Sequence, residues 1–399
     1  MADSRKAPWL TIIGVGEDGL DGLSNASRKA LDAAEVIFGG PRHLELVGVD
    51  TRGQPWPLPF SVAPVLECRG QQVVVLASGD PFWHGVGGTL ARHLTPDDWH
   101  CLPAPSCLSL AAARMGWRLE EVTQIALHAA PFEELRPQLS PGAHVLCTLR
   151  DGAAVPELAA WLTDQGFGPS AVTVMEALGG PREQIRHSQA NGFDLTDIQA
   201  PVVTAISVEG EKGLSATPGR DIEIFAHDGQ ITKSPMRALT LAALAPRAGE
   251  HLWDVGAGSG SVSVEWAMAA PGCTSSAIEP RADRCQNILE NAQRFGLVRR
   301  LEVVHGKAPE ALTDLPRPDA VFIGGGVDEA MLKAIWQGIL PGTRLVANAV
   351  TIESQSLLTG WHAQHGGQLL RIDLAEATPL GRMQGWSPSR PQVQWSVTR

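Results

Sequence analysis

The chain contains 399 residues, of which 44% are hydrophobic and 19% are charged, and its formal net charge at pH 7 is −11. This length exceeds what one hydrophobic core usually supports, so two domains are expected. The acidic charge disfavours a broad nucleic-acid-binding surface, and no apolar run approaches the roughly 20 residues needed to span a bilayer.

The start of the chain and its cysteines bear on the cellular compartment. The first eight residues lead directly into a short strand-like run without the apolar core of a signal peptide, so a cytoplasmic protein is expected. Six scattered cysteines show no C-x-x-C and no paired Cys/His spacing, so we predict reduced thiols and no metal site.

The first half alternates short apolar strands with helix-like stretches, which is α/β patterning. Strands are predicted at 10–15, 72–77, 145–148, 172–176 and 201–208. A polar stretch rich in turn formers follows and marks a boundary. We therefore predict a first domain over 1–208, a linker over 209–220 and a second domain over 221–399.

A G-x-G-x-x-G pattern at Gly14, Gly16 and Gly19 follows the first predicted strand. A dinucleotide-binding turn would open directly into a helix. Here the helix is delayed until Ser24, so that interpretation is rejected.

The second half predicts a doubly wound sheet with an antiparallel end. Ser234 is expected to cap a helix that has Pro235 at its first position. Strands are predicted at 250–255, 274–278, 301–304, 320–323 and 344–347. Two last runs, 368–374 and 392–397, alternate like exposed antiparallel strands.

A glycine-rich segment, residues 256–260 and here named the glycine turn, follows Asp254 at the end of a strand. Ser261 stands where a dinucleotide fingerprint needs glycine, and the Asp254 carboxylate suits the cationic end of S-adenosylmethionine rather than a pyrophosphate. Glu279 ends the next strand, where a ribose-binding carboxylate belongs. The predicted cofactor contacts are Asp254, Gly256, Ala257, Gly258, Ser259, Gly260 and Glu279. The alternative is a simple tight turn with a surface glutamate.

Residues 229 to about 397 resemble class I S-adenosylmethionine-dependent methyltransferases. The stretches Asp-Gly-Gln-Ile-Thr-Lys (228–233) and His-Gly-Lys-Ala-Pro-Glu (305–310) resemble the decarboxylating subunit of cobalamin biosynthesis. That resemblance implies that Thr232 and Ala308 lie near the cofactor. Lys307 departs from the Asp that the family often has. Glycines 324–326 suggest a roomy substrate floor or a flexible loop, and Asn348 and Glu353 are substrate-side candidates.

The first half resembles the tetrapyrrole methylases in four pieces: the long loop 13–24, Ala-Ser-Gly-Asp-Pro-Phe (77–82), Pro-Ser-Cys-Leu-Ser (105–109) and Met-Glu-Ala-Leu-Gly-Gly (175–180). Cys107 replaces the usual second serine, and Ser106 has the alternative role of a plain helix cap. The cofactor contacts that the resemblance implies are Gly79, Asp80, Pro81, Ser106, Glu176 and Ala205.

The order of the two modules resembles the fused decarboxylating precorrin C5,15-methyltransferases. The resemblance implies methylation of precorrin-6B at C5 and C15 with decarboxylation of the ring C acetate at C12, giving precorrin-8X. It also implies one S-adenosylmethionine per module, a tetrapyrrole as the small-molecule partner, no nucleic-acid or membrane partner, and self-association. Basic side chains should position the substrate carboxylates, and the candidates are Lys233, Arg237, Arg382 and Arg390.

Two alternatives remain open at the level of sequence. Each module's motifs leave its acceptor undetermined, so a protein or RNA methyltransferase is one of them. The other is a noncatalytic S-adenosylmethionine-binding scaffold. In either catalytic case alignment of the reacting carbons is expected to supply much of the rate, without a nucleophilic triad.

Overall fold

A computed structural model describes residues 8–399. The expectation that the chain starts without a signal peptide rests largely on residues outside the described part. The chain divides into two compact units. The first unit comprises residues up to 132 and 138–213, and the second comprises 133–137 and 214–399. Over the described residues, no helix has the length and apolar character needed to cross a membrane.

The first unit begins with a five-stranded parallel sheet in the order β3-β2-β4-β1-β5. Ser24 caps the first helix, as the delayed start predicted. The strands are β1 Leu10–Val15, β2 Val36–Gly39, β3 Gly53–Pro55, β4 Val73–Ser78 and β5 Trp99–Leu102, and the helices are α1 Asn25–Ala33, α2 Pro41–Leu46, α3 Ala63–Glu67, α4 Val86–Ala91 and α5 Cys107–Met115.

A second, mixed sheet completes the first unit, in the order β6-β7-β10-β8-β9. Its middle strand β10 runs antiparallel to both neighbours. The strands are β6 Thr123–Ala126, β7 His144–Thr148, β8 Ala171–Glu176, β9 Gln184–Gln189 and β10 Val202–Ser207, and the helix is α6 Ala154–Leu162. Leu108 of α5 packs on Met175 and Ala205 of this sheet, which buries the apolar face of the helix.

The second unit is built on a seven-stranded sheet in the order β13-β12-β11-β14-β15-β19-β16. Its strands are β11 His251–Val255, β12 Thr274–Glu279, β13 Leu301–His305, β14 Ala320–Ile323, β15 Arg344–Ala349, β16 Gln368–Ile372 and β19 Gln392–Thr398, and a separate hairpin pairs β17 Ala375–Leu380 with β18 Met383–Pro388. The helices are α7 Ser234–Leu244, α8 Ser261–Ala269, α9 Ala282–Arg294, α10 Glu329–Gly338 and α11 Ile352–His365.

The pairing confirms the predicted doubly wound sheet with an antiparallel end. The five strands β11 to β15 are parallel to one another, whereas β19 is antiparallel to both β15 and β16. The expectation that the last run is exposed was wrong, because β19 lies inside the sheet and buries Val393 and Trp395. Alternation along a strand does not reveal whether both faces are covered.

The start of α7 differs from the prediction by one residue. Lys233 occupies the cap position, and Ser234 is the first helical residue. The Ser234 hydroxyl donates to the Arg220 carbonyl at 2.7 Å, so it is committed elsewhere. Pro235 lies in the first turn, where its missing N–H costs nothing.

The segment predicted to be a linker is bonded at both ends. The Glu211 amide donates to the Gly166 carbonyl at 3.0 Å within the first unit. The Gly219 and Arg220 amides donate to the Glu265 carboxylate at 2.7 and 2.9 Å within the second unit. Residues 210–219 contain no regular helix or strand.

Candidate functional site

The glycine turn of the second unit follows β11, and α8 begins at Ser261, as predicted. Gly256, Gly258 and Gly260 have φ values of +70°, +60° and +71°, in the left-handed region that L side chains rarely adopt. A Cβ at Gly256 would lie 2.9 Å from the Gly325 carbonyl oxygen, whereas at Gly258 nothing lies closer than the Gln230 oxygen at 3.7 Å. The turn therefore packs tightly on one side and leaves space at its tip.

Asp254 lies just before the turn and is buried. The Ser263 backbone N–H and hydroxyl donate to its Oδ2, at 3.1 and 2.7 Å, which ties the end of β11 to the first turn of α8. Its Oδ1 is buried and has no hydrogen-bond partner among the residues that the structure describes. Burial raises the pKa of Asp254 to about 6, against the lowering effect of the Ser263 bonds and with a smaller contribution from the charge of Glu279.

Glu279 is buried at the end of β12 on the other side of the turn. It accepts the Gly258 amide at 2.8 Å through Oε2 and the Arg281 amide at 3.0 Å through Oε1. Each carboxylate oxygen can accept a second bond. Glu279 is thus not the surface glutamate of the tight-turn alternative, because it holds the tip of the turn.

Further residues singled out in the sequence surround this end of the sheet. Ala308 is buried in the core, and Lys307 is exposed. Gly325 and Gly326 follow β14 and have open space where side chains would project. Thr351 caps α11 by accepting the Ser354 amide.

Two of the substrate-side predictions need correction. Arg237 was expected at an open edge, but it is fully buried on α7 and pairs with Glu265 of α8 at 2.9 Å. Asn348 is also buried, and both atoms of its amide are used inside the core, by Thr240 at 2.9 Å and by Gln394 at 3.0 Å. The other candidates are solvent-exposed: Lys233, Glu353, Arg382 and Arg390.

The first unit contains a cavity of about 680 Å³. Its wall includes Gly79, Asp80 and Ser106, which were predicted from the two loops that carry them. Gly79 has a φ of +51°, and a Cβ there would lie 2.9 Å from the Pro105 carbonyl oxygen. A Cβ at Gly14 would in turn lie only 1.9 Å from the Gly79 oxygen. The cavity wall at this point is therefore made of main chain in direct contact.

The side chains of these loops are partly committed to the loops themselves. Asp80 accepts the Phe82 amide at 2.9 Å, and Ser106 accepts the Ser109 amide at 3.1 Å as the cap of α5. Pro81 is buried behind the cavity wall, where its carbonyl accepts the Gly87 amide. Cys107 lines the cavity, and burial raises the pKa of its thiol.

Besides Pro81, two predicted contacts of the first unit do not line this cavity. The Glu176 carboxylate is buried in an ion pair with Arg186 at 2.8 Å and accepts the Gln199 amide at 2.6 Å. Ala205 packs in the core of the second sheet, while Val203 lies at the cavity. Both expectations are corrected. Arg186 and Gln199 hold the Glu176 side chain away from the cavity, and Ala205 lies on a strand position that faces the core.

The sequence reasoning missed a polar cluster on the cavity wall. His43 Nε2 lies 2.8 Å from Ser78 Oγ, and Arg42 donates to the same hydroxyl at 3.0 Å while pairing with Glu17. Burial, with the nearby Arg42 charge, lowers the pKa of His43 to about 4, so the imidazole is neutral at physiological pH. The sequence position of Arg42 could have indicated this cluster. Arg42 follows β2, and ligands bind at the carboxyl ends of parallel strands.

Comparison with known proteins assigns both halves of the chain. Residues 9–193 match the family described as Tetrapyrrole (Corrin/Porphyrin) Methylases. Residues 223–399 match the family described as Precorrin methyltransferase domain.

Relatives align with nearly the whole chain. Precorrin-6Y C(5,15)-methyltransferase [decarboxylating] of Sinorhizobium sp is 48% identical over 401 residues, covering 98% of this chain and 97% of that protein. The protein of the same name from Mycobacterium tuberculosis (strain CDC 1551 / Oshkosh) is 40% identical, covering 98% of this chain and 100% of that one. The solved C-terminal domain of precorrin-6Y C5,15-methyltransferase from Rhodobacter capsulatus is 64% identical, with 47% of this chain and 100% of that chain covered and a TM-score of 0.46. The identity to full-length relatives, together with the two matched domains, shows that the chain belongs to the decarboxylating precorrin-6Y C5,15-methyltransferase family.

Proposed function

We propose that the chain methylates precorrin-6B at C5 and C15 and removes the carboxylate of the ring C acetate at C12, giving precorrin-8X in cobalamin biosynthesis. The observation that carries this proposal is that, in a chain of this family, the first unit has a cavity beside Gly79 and the second unit has open space beside Gly258. We assign the first unit to methylation at C5 and the second to methylation at C15 with decarboxylation.

The second unit offers a fitting site for S-adenosylmethionine. The partnerless Oδ1 of Asp254 is an unused acceptor for an ammonium group, and the tip of the turn at Gly258 leaves room for a ligand to approach the backbone. Glu279 keeps lone pairs for ribose hydroxyls. The proposed contacts are Thr232, Asp254, Gly256, Ala257, Gly258, Ser259, Gly260, Glu279 and Ala308.

In the first unit the proposed cofactor contacts are Gly79, Asp80 and Ser106, with Pro81 shaping the loop behind them. Arg42 is the substrate-side candidate there, since its guanidinium lies on the same cavity wall and is partly exposed. A guanidinium forms strong charge-assisted bonds with carboxylates, which a precorrin carries in number.

S-adenosylmethionine, when bound, supplies an electrophilic methyl group on a sulfonium that carries its own leaving group. The residues of the chain then need to bind, orient and exclude water rather than to form a covalent link. In the second unit the exposed Lys233, Arg382 and Arg390 are available to hold substrate carboxylates. Glu353 is exposed as well, but its charge is negative.

The test is a count of binding sites for S-adenosylhomocysteine by calorimetry on the full chain. We expect two sites in the wild type, and one in either Gly79→Val or Gly258→Val, since each places a side chain at positive φ against a proposed pocket. Gly116→Val and Gly249→Val are matched controls, because both glycines have positive φ with open space around them and line neither site. Two sites in every variant, or none in the wild type, would contradict the proposal.

The single-site variants also separate the two chemistries. With S-adenosylmethionine and purified precorrin-6B, Gly258→Val should yield a product with one added methyl group and its acetate intact. Gly79→Val should lose the other methylation. Methyl transfer to protein or RNA instead of tetrapyrrole would support a macromolecule-modifying enzyme, and binding without any turnover would support a scaffold.

We further propose that the chain self-associates through the β17–β18 hairpin. Within residues 8–399 these strands pair only with each other, and Leu380, Met383 and Trp386 are 69%, 74% and 77% exposed. An isolated two-stranded hairpin with apolar side chains in water is marginally stable, so a second copy of the chain is the expected cover. Trp386→Glu should lower the mass measured by light scattering, whereas the half-exposed Leu289→Glu on α9 should not. A monomeric wild type would contradict this.

A cytoplasmic location is the last part of the proposal. All six cysteines are free, as expected for a reducing compartment. Fractionation of the native cells, with the protein followed by antibody, would test it.

A further inference from the structure

The buried ion pair between Arg237 and Glu265 calls for an explanation beyond stability. Both side chains are fully buried, and the guanidinium Nε lies 2.9 Å from the carboxylate. Removing two charges from water is costly, so a buried pair is often no more stabilising than apolar residues of the same volume. The role of this pair is therefore sought in the other hydrogen bonds that Arg237 and Glu265 make.

Both groups hold main chain that precedes α7. Glu265 accepts the Gly219 and Arg220 amides, at 2.7 and 2.9 Å. Arg237 donates to the Thr232 carbonyl at 2.5 Å and to the Arg220 carbonyl, and its guanidinium lies 4.7 Å from the centre of the Phe225 ring. One guanidinium thus forms an ion pair with a carboxylate through its charge and donates hydrogen bonds to two carbonyls, which suits its planar fork of donors.

The held segment passes over the glycine turn. Residues 228–232, here named the strap, contain no helix or strand. The Gln230 carbonyl oxygen is the nearest atom to the space above Gly258, and Ile231 packs in the same apolar cluster as Ile288. Because the strap lacks backbone ladder bonds of its own, its position depends on side-chain anchors.

A second anchor lies at the far end of the strap. Arg284 of α9 donates to the Asp228 carboxylate at 2.9 Å and to the Gln230 side-chain oxygen at 2.6 Å. The strap is therefore fixed from the core by Arg237 at Thr232 and from the surface by Arg284 at its start.

We propose that Arg237 and Glu265 are positioning residues that preset the strap above the glycine turn for an adenosyl ligand. This rests on the proposed function of the second unit as an S-adenosylmethionine site. Neither residue needs to touch the ligand. A strap that is already ordered removes part of the conformational entropy that binding would otherwise cost, so the affinity for ligand depends on the anchors.

Arg237→Lys separates this role from a purely structural one. A lysine keeps the charge next to Glu265, but its single nitrogen cannot also reach both carbonyls in the geometry of a guanidinium. In the Gly79→Val protein, which leaves only the second site, we expect calorimetry to show that this change raises the Kd for S-adenosylhomocysteine roughly tenfold or more, with a melting temperature close to the parent. Arg284→Ala should act in the same direction from the other end.

Arg344→Met is the matched control. Arg344 also forms a mostly buried ion pair, with Glu250 at 2.5 Å, but at the amino ends of β11 and β15, away from the glycine turn. It should lower the melting temperature and leave the Kd unchanged. Hydrogen exchange of residues 228–233 supplies a readout independent of ligand, and it should accelerate in Arg237→Lys and Arg284→Ala but not in Arg344→Met.

The outcomes separate the two proposals. If the parent binds S-adenosylhomocysteine and both anchor variants bind within twofold of it, or if strap exchange is unchanged, the positioning role is overturned while the proposed function stands. If the parent binds none, the proposed function of the second unit fails and the positioning role fails with it.

Discussion

The buried carboxyl of Asp254 should make the affinity of the proposed S-adenosylmethionine site in the second unit depend on pH. Burial raises its pKa to about 6 from an ordinary value of 3.8. Because the folded value is the higher one, Asp254 contributes stability below about pH 4 and loses that contribution as the pH rises through 6. A shift of roughly two pKa units corresponds to about 3 kcal/mol of unfolding free energy.

Ligand binding should have the opposite pH dependence. An ammonium group near Asp254 Oδ1 favours the carboxylate form, which is present in roughly one molecule in ten at pH 5 and nine in ten at pH 7. The Kd for S-adenosylhomocysteine should therefore fall about tenfold between these pH values. The free energy of unfolding without ligand should decline over the same interval.

The assay is calorimetry on the Gly79→Val protein from pH 5 to 7.5, together with urea unfolding at each pH. Asp254→Asn should bind more weakly at pH 7 and show a flat profile, because its side chain carries no titrating proton. Asp319→Asn is the control, since Asp319 accepts the His251 amide at the amino end of β11 and should leave the slope intact. A flat profile in the parent, or an unchanged slope in Asp254→Asn, would refute the reasoning.

Three further changes test other parts of the structure. Glu176→Gln should cost about 3 kcal/mol of unfolding free energy, because it leaves Arg186 without its buried partner. The affinity of the first unit for S-adenosylhomocysteine should stay constant. Weaker binding at unchanged stability would restore a cofactor role for Glu176. Gly260→Ala should cost roughly 1–2 kcal/mol in urea unfolding, because its Cβ would lie 2.8 Å from Ile288 at positive φ, and an unchanged midpoint would contradict the geometry. Arg42→Ala should weaken precorrin binding to the Gly258→Val protein roughly tenfold in a fluorescence titration and spare S-adenosylhomocysteine binding; equal losses of both would place Arg42 on the cofactor instead.

The sequence was sufficient for features that depend on neighbouring residues. The glycine turn, the helix that starts at Ser261 and the delayed first helix capped by Ser24 all follow from local backbone requirements, and the structure has them. The sheet order of the second unit also follows the α/β pattern, with an antiparallel end as expected.

The errors concern features set by distant partners. Arg237 reads as a surface cation until Glu265 of the next helix is known to face it, and Asn348 is buried because Thr240 and Gln394 satisfy its amide. Burial of a polar side chain is a property of the pair, which single-residue polarity does not reveal. The cluster at His43 was missed for a related reason, because only the pairing of β2 with β4 brings it to Ser78.

The main-chain contacts among Gly14, Gly79 and Pro105 affect how the first unit can be redesigned. Where backbone touches backbone, the frame of the pocket does not depend on the identity of nearby side chains. Libraries that randomise the outward positions of these loops should therefore keep the frame of the pocket, provided the two glycines are left untouched. New acceptors should then be selectable on this unit without first rebuilding the proposed methyl-donor site.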